Sequence, residues 1–166
     1  MKKALFLFIT LISVINISAQ ENNVTIEQKV DSLQTQLNKL QHDYDYLDCS
    51  YKLNQLKYDL STFSSDTNIS SNAILINYHH GRYDTDLYRA YKENYDARDK
   101  NLSSIEQNIL ATILFVLKKM ETSSFTENEK NVLNSCMKSI ESSLSSSKSA
   151  LRYYKVVLEL YKDLEW

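Results

Sequence analysis

The sequence predicts an all-α fold, an up-down four-helix bundle with long, coiled-coil-like helices. Three observations point there. The 166-residue chain has one glycine and no proline, and tight turns of a multi-stranded sheet need those residues where long helices do not. Apolar residues recur in alternating steps of four and three, the mark of a heptad seam. Ser/Thr-x-x-Glu/Gln pairs also stand where such seams begin, as helix N-termini require.

The first nineteen residues read as a leader rather than as fold. Lys2 and Lys3 give a basic start, Ala4 to Ile17 is an apolar run, and Ile17-Ser18-Ala19 ends in the small residue that a signal peptidase needs. The run is shorter than the roughly 20 apolar residues that span a bilayer. Residues 1–19 are therefore expected to be a signal peptide and 20–166 a single helical-bundle domain, exported to the periplasm or secreted by a bacterium, with no stable membrane span after cleavage. The formal charge is −2 and becomes more negative once the two leader lysines are lost. That sign gives no footprint for nucleic acid.

The first helix opens at Thr25 and Gln28, spaced as a capping box. Its seam runs Ile26, Val30, Leu33, Leu37, Leu40, Tyr44, Leu47, Tyr51, and a second seam of Cys49, Leu53, Leu56, Leu60 and Phe63 takes over. The Ser-rich stretch STFSSDTNISS (61–71) reads as a turn. A second helix is expected from about Ile69 to Asp99, with Ile74, Tyr78, Tyr83, Leu87, Tyr91 and Tyr95 on one side. Asn101, or Ser103 with Glu106, supplies N-cap chemistry for a break. The third helix, Ser104 to Glu121, holds ILATILFVL and is expected to be the most buried. Thr126 and Glu129 open the fourth, whose seam continues from Leu133 to Tyr161. Its Val157, Leu160 and Leu164 form an extra stripe, to be covered by this chain or by another copy.

Cys49 and Cys136 are an even pair in an exported chain, and a disulfide between them is expected. At about 1.5 Å per residue, a reversal near Asn101 sets Cys49 roughly 21 Å and Cys136 roughly 32 Å below the first turn. One continuous helix from 70 to 121 would put Cys136 about 90 Å down. The bridge thus favours four helices; without it, an elongated three-helix bundle is the alternative.

The densest cluster of chemistry is INYHHGRYDTDLY (76–88), with the only glycine, His79, His80, Asp84 and Asp86. His80 and Asp84 share a helix face, but the remaining histidine, His42, falls on the order of 18 Å away along the axis. The stretch therefore reads as a loosened helix turn at Gly81, a hinge or kink, and no metal site is assigned. No nucleophile elbow, glycine-rich phosphate loop or di-iron Glu-x-x-His pattern is present in the sequence. No enzymatic activity, catalytic residue or cofactor is expected.

Tyrosines are unusually frequent, twelve in all. With a turn in 61–71, Tyr58 would meet Tyr78, Tyr51 would meet Tyr83, and Tyr44 would meet Tyr88 and Tyr91. Rings of this kind serve either as core and rim or as a recognition surface. The expected role is a non-enzymatic helical interaction module that binds another macromolecule, a protein or glycan, through helix surfaces. The alternative is a ligand-binding or sensing module using this tyrosine-lined surface; the doubly apolar end of the fourth helix admits equally a homo-oligomer or a monomer that covers that end itself.

Overall fold

The computed structural model describes residues 25–81 and 83–165; the expected leader lies outside them. The described residues form three helices and no strands: α1 (Ile26–His79), α2 (Thr85–Thr122) and α3 (Glu127–Lys162), followed by a single 3-10 turn, Asp163–Glu165. The fold is all-α. The four-helix path is corrected to three helices.

Two expected breaks are absent and one loosened turn became a reversal. Segment 61–71 stays helical because its polar residues can be buried without loss. Phe63, Thr67, Ser71 and Ile74 continue the buried stripe of α1 in helical steps. The Thr67 hydroxyl donates to the Phe63 carbonyl (2.7 Å) and the Ser71 hydroxyl to the Thr67 carbonyl (2.9 Å). Small side chains that satisfy themselves on the preceding turn cost little to bury. The chain likewise runs straight through Asn101. Leu102 and Ile109 are buried and Ile105 packs beside them, so burial in register outweighs the capping chemistry. The Ser103 hydroxyl turns back to the Asp99 carbonyl, and Glu106 pairs with Lys148 of α3 at 2.6 Å.

The reversal sits at Gly81, whose φ of +60° is the left-handed conformation that ends helices. Its N–H donates to the Tyr78 carbonyl at 2.9 Å. Asp84 then caps α2 by accepting from the Leu87 N–H (2.9 Å), and its own N–H donates to the Tyr161 hydroxyl (3.1 Å). The second reversal follows the expected signal. Thr126 and Glu129 form a capping box at the start of α3, and the one at Thr25 and Gln28 opens α1.

The chain divides into two compact units, Met1–Leu40 and Gln41–Trp166. The described part of the first, from Thr25, is the opening of α1. In the second, α1 and α2 run antiparallel: Lys119 meets Asp45, Arg98 meets Thr67 and Asn77 meets Tyr91. α3 then runs parallel to α1. His42 meets Glu129 and the Leu60 carbonyl meets the Ser147 hydroxyl, both pairs 87 residues apart.

The core has two clusters. The larger joins Cys49, Leu53, Leu56, Leu60 and Phe63 of α1 to Leu102, Ile109 and Val116 of α2 and to Leu133, Met137 and Ile140 of α3. The smaller surrounds Ile74, Tyr154, Val157, Leu158 and Tyr161 near the Gly81 turn. Between the two, Ser147 of α3 is buried and its hydroxyl reaches the Leu60 carbonyl of α1 at 3.1 Å. The Ser-rich run of α3, SSLSSSKSA (142–150), is thus helical and buries the small side chains of Ser147 and Ala150. The run 109–117 is not the most buried element: Leu110, Leu114 and Leu117 stand exposed while Ile109 and Val116 face inward. Two neighbouring helices cover only one side of α2.

Candidate interaction surface

The two predicted cysteines are free thiols, which corrects the expected bridge. Cys49 and Cys136 have the same spacing as the two cross-helix hydrogen bonds between α1 and α3. They therefore share a level, and both belong to the larger cluster. The turn at Gly81 brings them level without a fourth helix, so the depth argument for four helices fails with its premise about where the chain turns. Burial, then the charges of Asp48 and Asp45, pushes the Cys49 thiol above its ordinary pKa. Cys136 is half-buried. An alkylating reagent at neutral pH is expected to modify one thiol, Cys136, in the native protein and both in denaturant, by mass spectrometry of the intact chain. Equal rates at the two sulfurs would contradict this packing.

The tyrosines separate into two groups rather than forming one ladder. Tyr78, Tyr83, Tyr88 and Tyr91 pack on the smaller core cluster. Tyr83 touches the ring of Tyr161 at 5.6 Å between centroids, and Tyr91 does so at 5.9 Å. Asn77 donates to the Tyr91 hydroxyl at 2.7 Å. These half-buried rings have core partners. Tyr44, Tyr51 and Tyr58 lie elsewhere on α1, 59, 68 and 66% exposed. The expected pairing across the first hairpin does not form, because the hairpin turns at Gly81 and not within 61–71.

What those three share is a spacing of seven, hence one helix face. In the second unit Leu47 joins them on it, 65% exposed. In the first unit Ile26, Val30, Leu37 and Leu40 continue the same heptad count, and all are exposed. The seam read from the sequence as the buried face of the first helix is thus its open face. The second seam, from Cys49 onward, is the buried one. Sequence reasoning found the seam but assigned its cover to this chain. The residues of this seam alone carry no signal that tells an open face from a covered one.

Both ring nitrogens of His42 lie 3.2 Å from carboxylate oxygens, of Asp43 and of Glu129. The hydrogen bond with Asp43 raises the imidazole above its ordinary pKa; burial opposes it and the Glu129 charge adds to it. The Thr126 hydroxyl donates to Glu129 Oε2 at 2.8 Å and accepts from the Glu129 N–H. Glu129 itself is held below its usual value by the Thr126 N–H and hydroxyl. His79 and His80 are exposed at the end of α1. Among the described residues no group of three or more His, Cys, Asp or Glu side chains is placed to hold a metal. No described helix is long and apolar enough to cross a membrane.

Compared with known proteins, the chain matches no family model, no curated protein and no solved structure.

Proposed function

We propose that this chain is an exported, non-enzymatic interaction module, a three-helix bundle that presents the open apolar face of α1 to another macromolecule. The observation that carries the reading is the stripe of Tyr44, Leu47, Tyr51 and Tyr58, exposed on the face of α1 that α2 and α3 leave uncovered. Contiguous exposed apolar surface marks interaction sites, where isolated apolar residues do not. Rigid tyrosine rings suit such a face, since they bring large contact area at low entropic cost. Export is supported by the basic, apolar and small-residue order of residues 1–19.

A photo-crosslinking residue at Tyr51, incorporated in the producing cell, tests the reading. The same residue at Lys100, an exposed position of α2, is the control. A discrete adduct of higher mass is expected from Tyr51 and none from Lys100. Absence of any adduct at Tyr51 would remove the function proposed here.

A further inference from the structure

We infer that the occupant of the open face of α1 is a second copy of this chain, paired along the heptad seam as a coiled coil; this rests on the interaction reading above. Val30, Leu37, Tyr44, Tyr51 and Tyr58 fall on one core position of the heptad, and Ile26, Leu33, Leu40 and Leu47 fall on the other. A repeat held this strictly packs knobs into holes only against a helix with the same repeat. The seam of α3, Leu133 to Tyr161, is buried within the second unit, and the exposed stripe of α2 is short, Leu110, Leu114 and Leu117, so the matching long free seam is that of α1 in another copy.

The charges beside the seam favour a like partner. The flanking positions hold Gln34, Gln36, Gln41, Ser50 and Gln55, with a Glu27 and a Lys29 of opposite sign at the start. Helices that must pair with a different chain carry runs of one sign there, which repel their own kind. α1 has no such run. Of the three acids next to the seam, Asp43 is provided with His42 and Asp48 with Lys52, Glu27 stands at the start, and Lys57 adds a second base. Asn54, exposed, takes the next core position after Leu47, and one polar residue in a seam is a device that fixes register.

Size and stability agree. The seam runs about 21 Å in the first unit, Ile26 to Leu40, and about 21 Å in the second, Tyr44 to Tyr58, and covering its nine side chains removes on the order of 800 Å² per copy from water. That is the area a stable dimer needs from each partner. The seam residues of the first unit gain most: Ile26 is 81% exposed, and a helix without an apolar neighbour is marginal in water.

The test is the mass in solution of the full protein, purified as the producing cell processes it, by sedimentation from about 1 to 500 μM. A species of twice the chain mass is expected in the low-micromolar range. Leu40→Glu with Leu47→Glu is expected to weaken association at least 100-fold, and both positions are exposed in the single chain, so the second unit keeps its melting transition. Leu110→Glu with Leu114→Glu, which alters the exposed stripe of α2, leaves the dimer intact. A monomer at every concentration, or a dimer broken by the α2 pair and not by the α1 pair, overturns the inference. A Tyr51 adduct with a different protein would then leave the broader interaction reading standing, whereas no adduct at all would take both.

Discussion

Replacing Tyr154 with alanine is expected to destabilise the second unit by about 3–5 kcal/mol, the range for deleting a fully buried aromatic side chain. Tyr154 has no exposed surface and lies at the centre of the smaller core cluster. Its ring rests against Tyr95 at 5.7 Å between centroids. Its hydroxyl donates to the Tyr91 carbonyl at 2.9 Å and approaches Asn94 Oδ1 at 3.3 Å. One side chain thus joins α3 to α2 both by packing and by a hydrogen bond. Tyr154→Phe keeps the ring and loses only the bond, so about 1–2 kcal/mol is expected. Tyr153→Ala, one residue away but 42% exposed, is expected to cost under about 1 kcal/mol. Urea unfolding followed by circular dichroism measures all three. Equal losses at 153 and 154 would contradict the register of α3.

The same residue sets an alkaline signature. Burial pushes the Tyr154 phenol up to about 12 from an ordinary value near 10. A raised folded-state pKa means that the stabilisation is whole below the unfolded value. It is lost as pH rises from about 10 toward the folded value. The phenylalanine variant lacks this loss, so its stability deficit narrows above pH 10.

The two reversals show what could be read from the sequence and what could not. The turn before α3 was fully legible, because Thr126 and Glu129 make a cap that needs only local contacts. The turn at Gly81 was half legible. A single glycine in a chain without others marks the place where a positive φ is affordable, but the sequence does not say whether the helix bends or ends there. What settles it is distant: the Tyr161 hydroxyl, 77 residues on, receives the Asp84 N–H. The false turn at 61–71 and the false break at Asn101 have a common cause. Ser, Thr and Asn favour turns when solvated, but a helix packed on its neighbours absorbs them by back-bonding, as Thr67 and Ser71 do.

The candidate surface was legible as a pattern and misassigned in its role. Nothing in Ile26 to Tyr51 alone distinguishes a seam covered by the same chain from one left for another. That choice depends on which side of α1 the Cys49 stripe takes, and hence on the partners supplied by α2 and α3.

Asp45→Ala is the second large effect, expected to cost about 2–3 kcal/mol at neutral pH. Asp45 is a buried carboxylate at the end of the second unit where α2 passes to α3. It accepts from Lys119 (2.8 Å), from the Ser123 hydroxyl (2.7 Å) and from Gln41 (2.9 Å). Burial alone would raise its pKa; the hydrogen bond from Lys119, then those from Ser123 and Gln41 with the Lys119 charge, outweigh burial and hold it below the ordinary carboxylate value. Removing it takes the acceptor from three donors at once, of which Gln41 is exposed and Ser123 half-buried. Lys119 keeps partial access to solvent, with its side chain 29% exposed, so the loss stays short of that for a sealed ion pair. The pH dependence has a definite sign. A lowered folded-state pKa gives stabilisation that is present above the unfolded carboxyl value, near 3.9, and is lost as pH falls through the folded value. The difference between wild type and Asp45→Ala, read from urea midpoints, is therefore expected to be flat from pH 7 to about 5 and to shrink below about 4. A difference that instead grew on acidification would mean that burial, and not Lys119, governs this carboxylate.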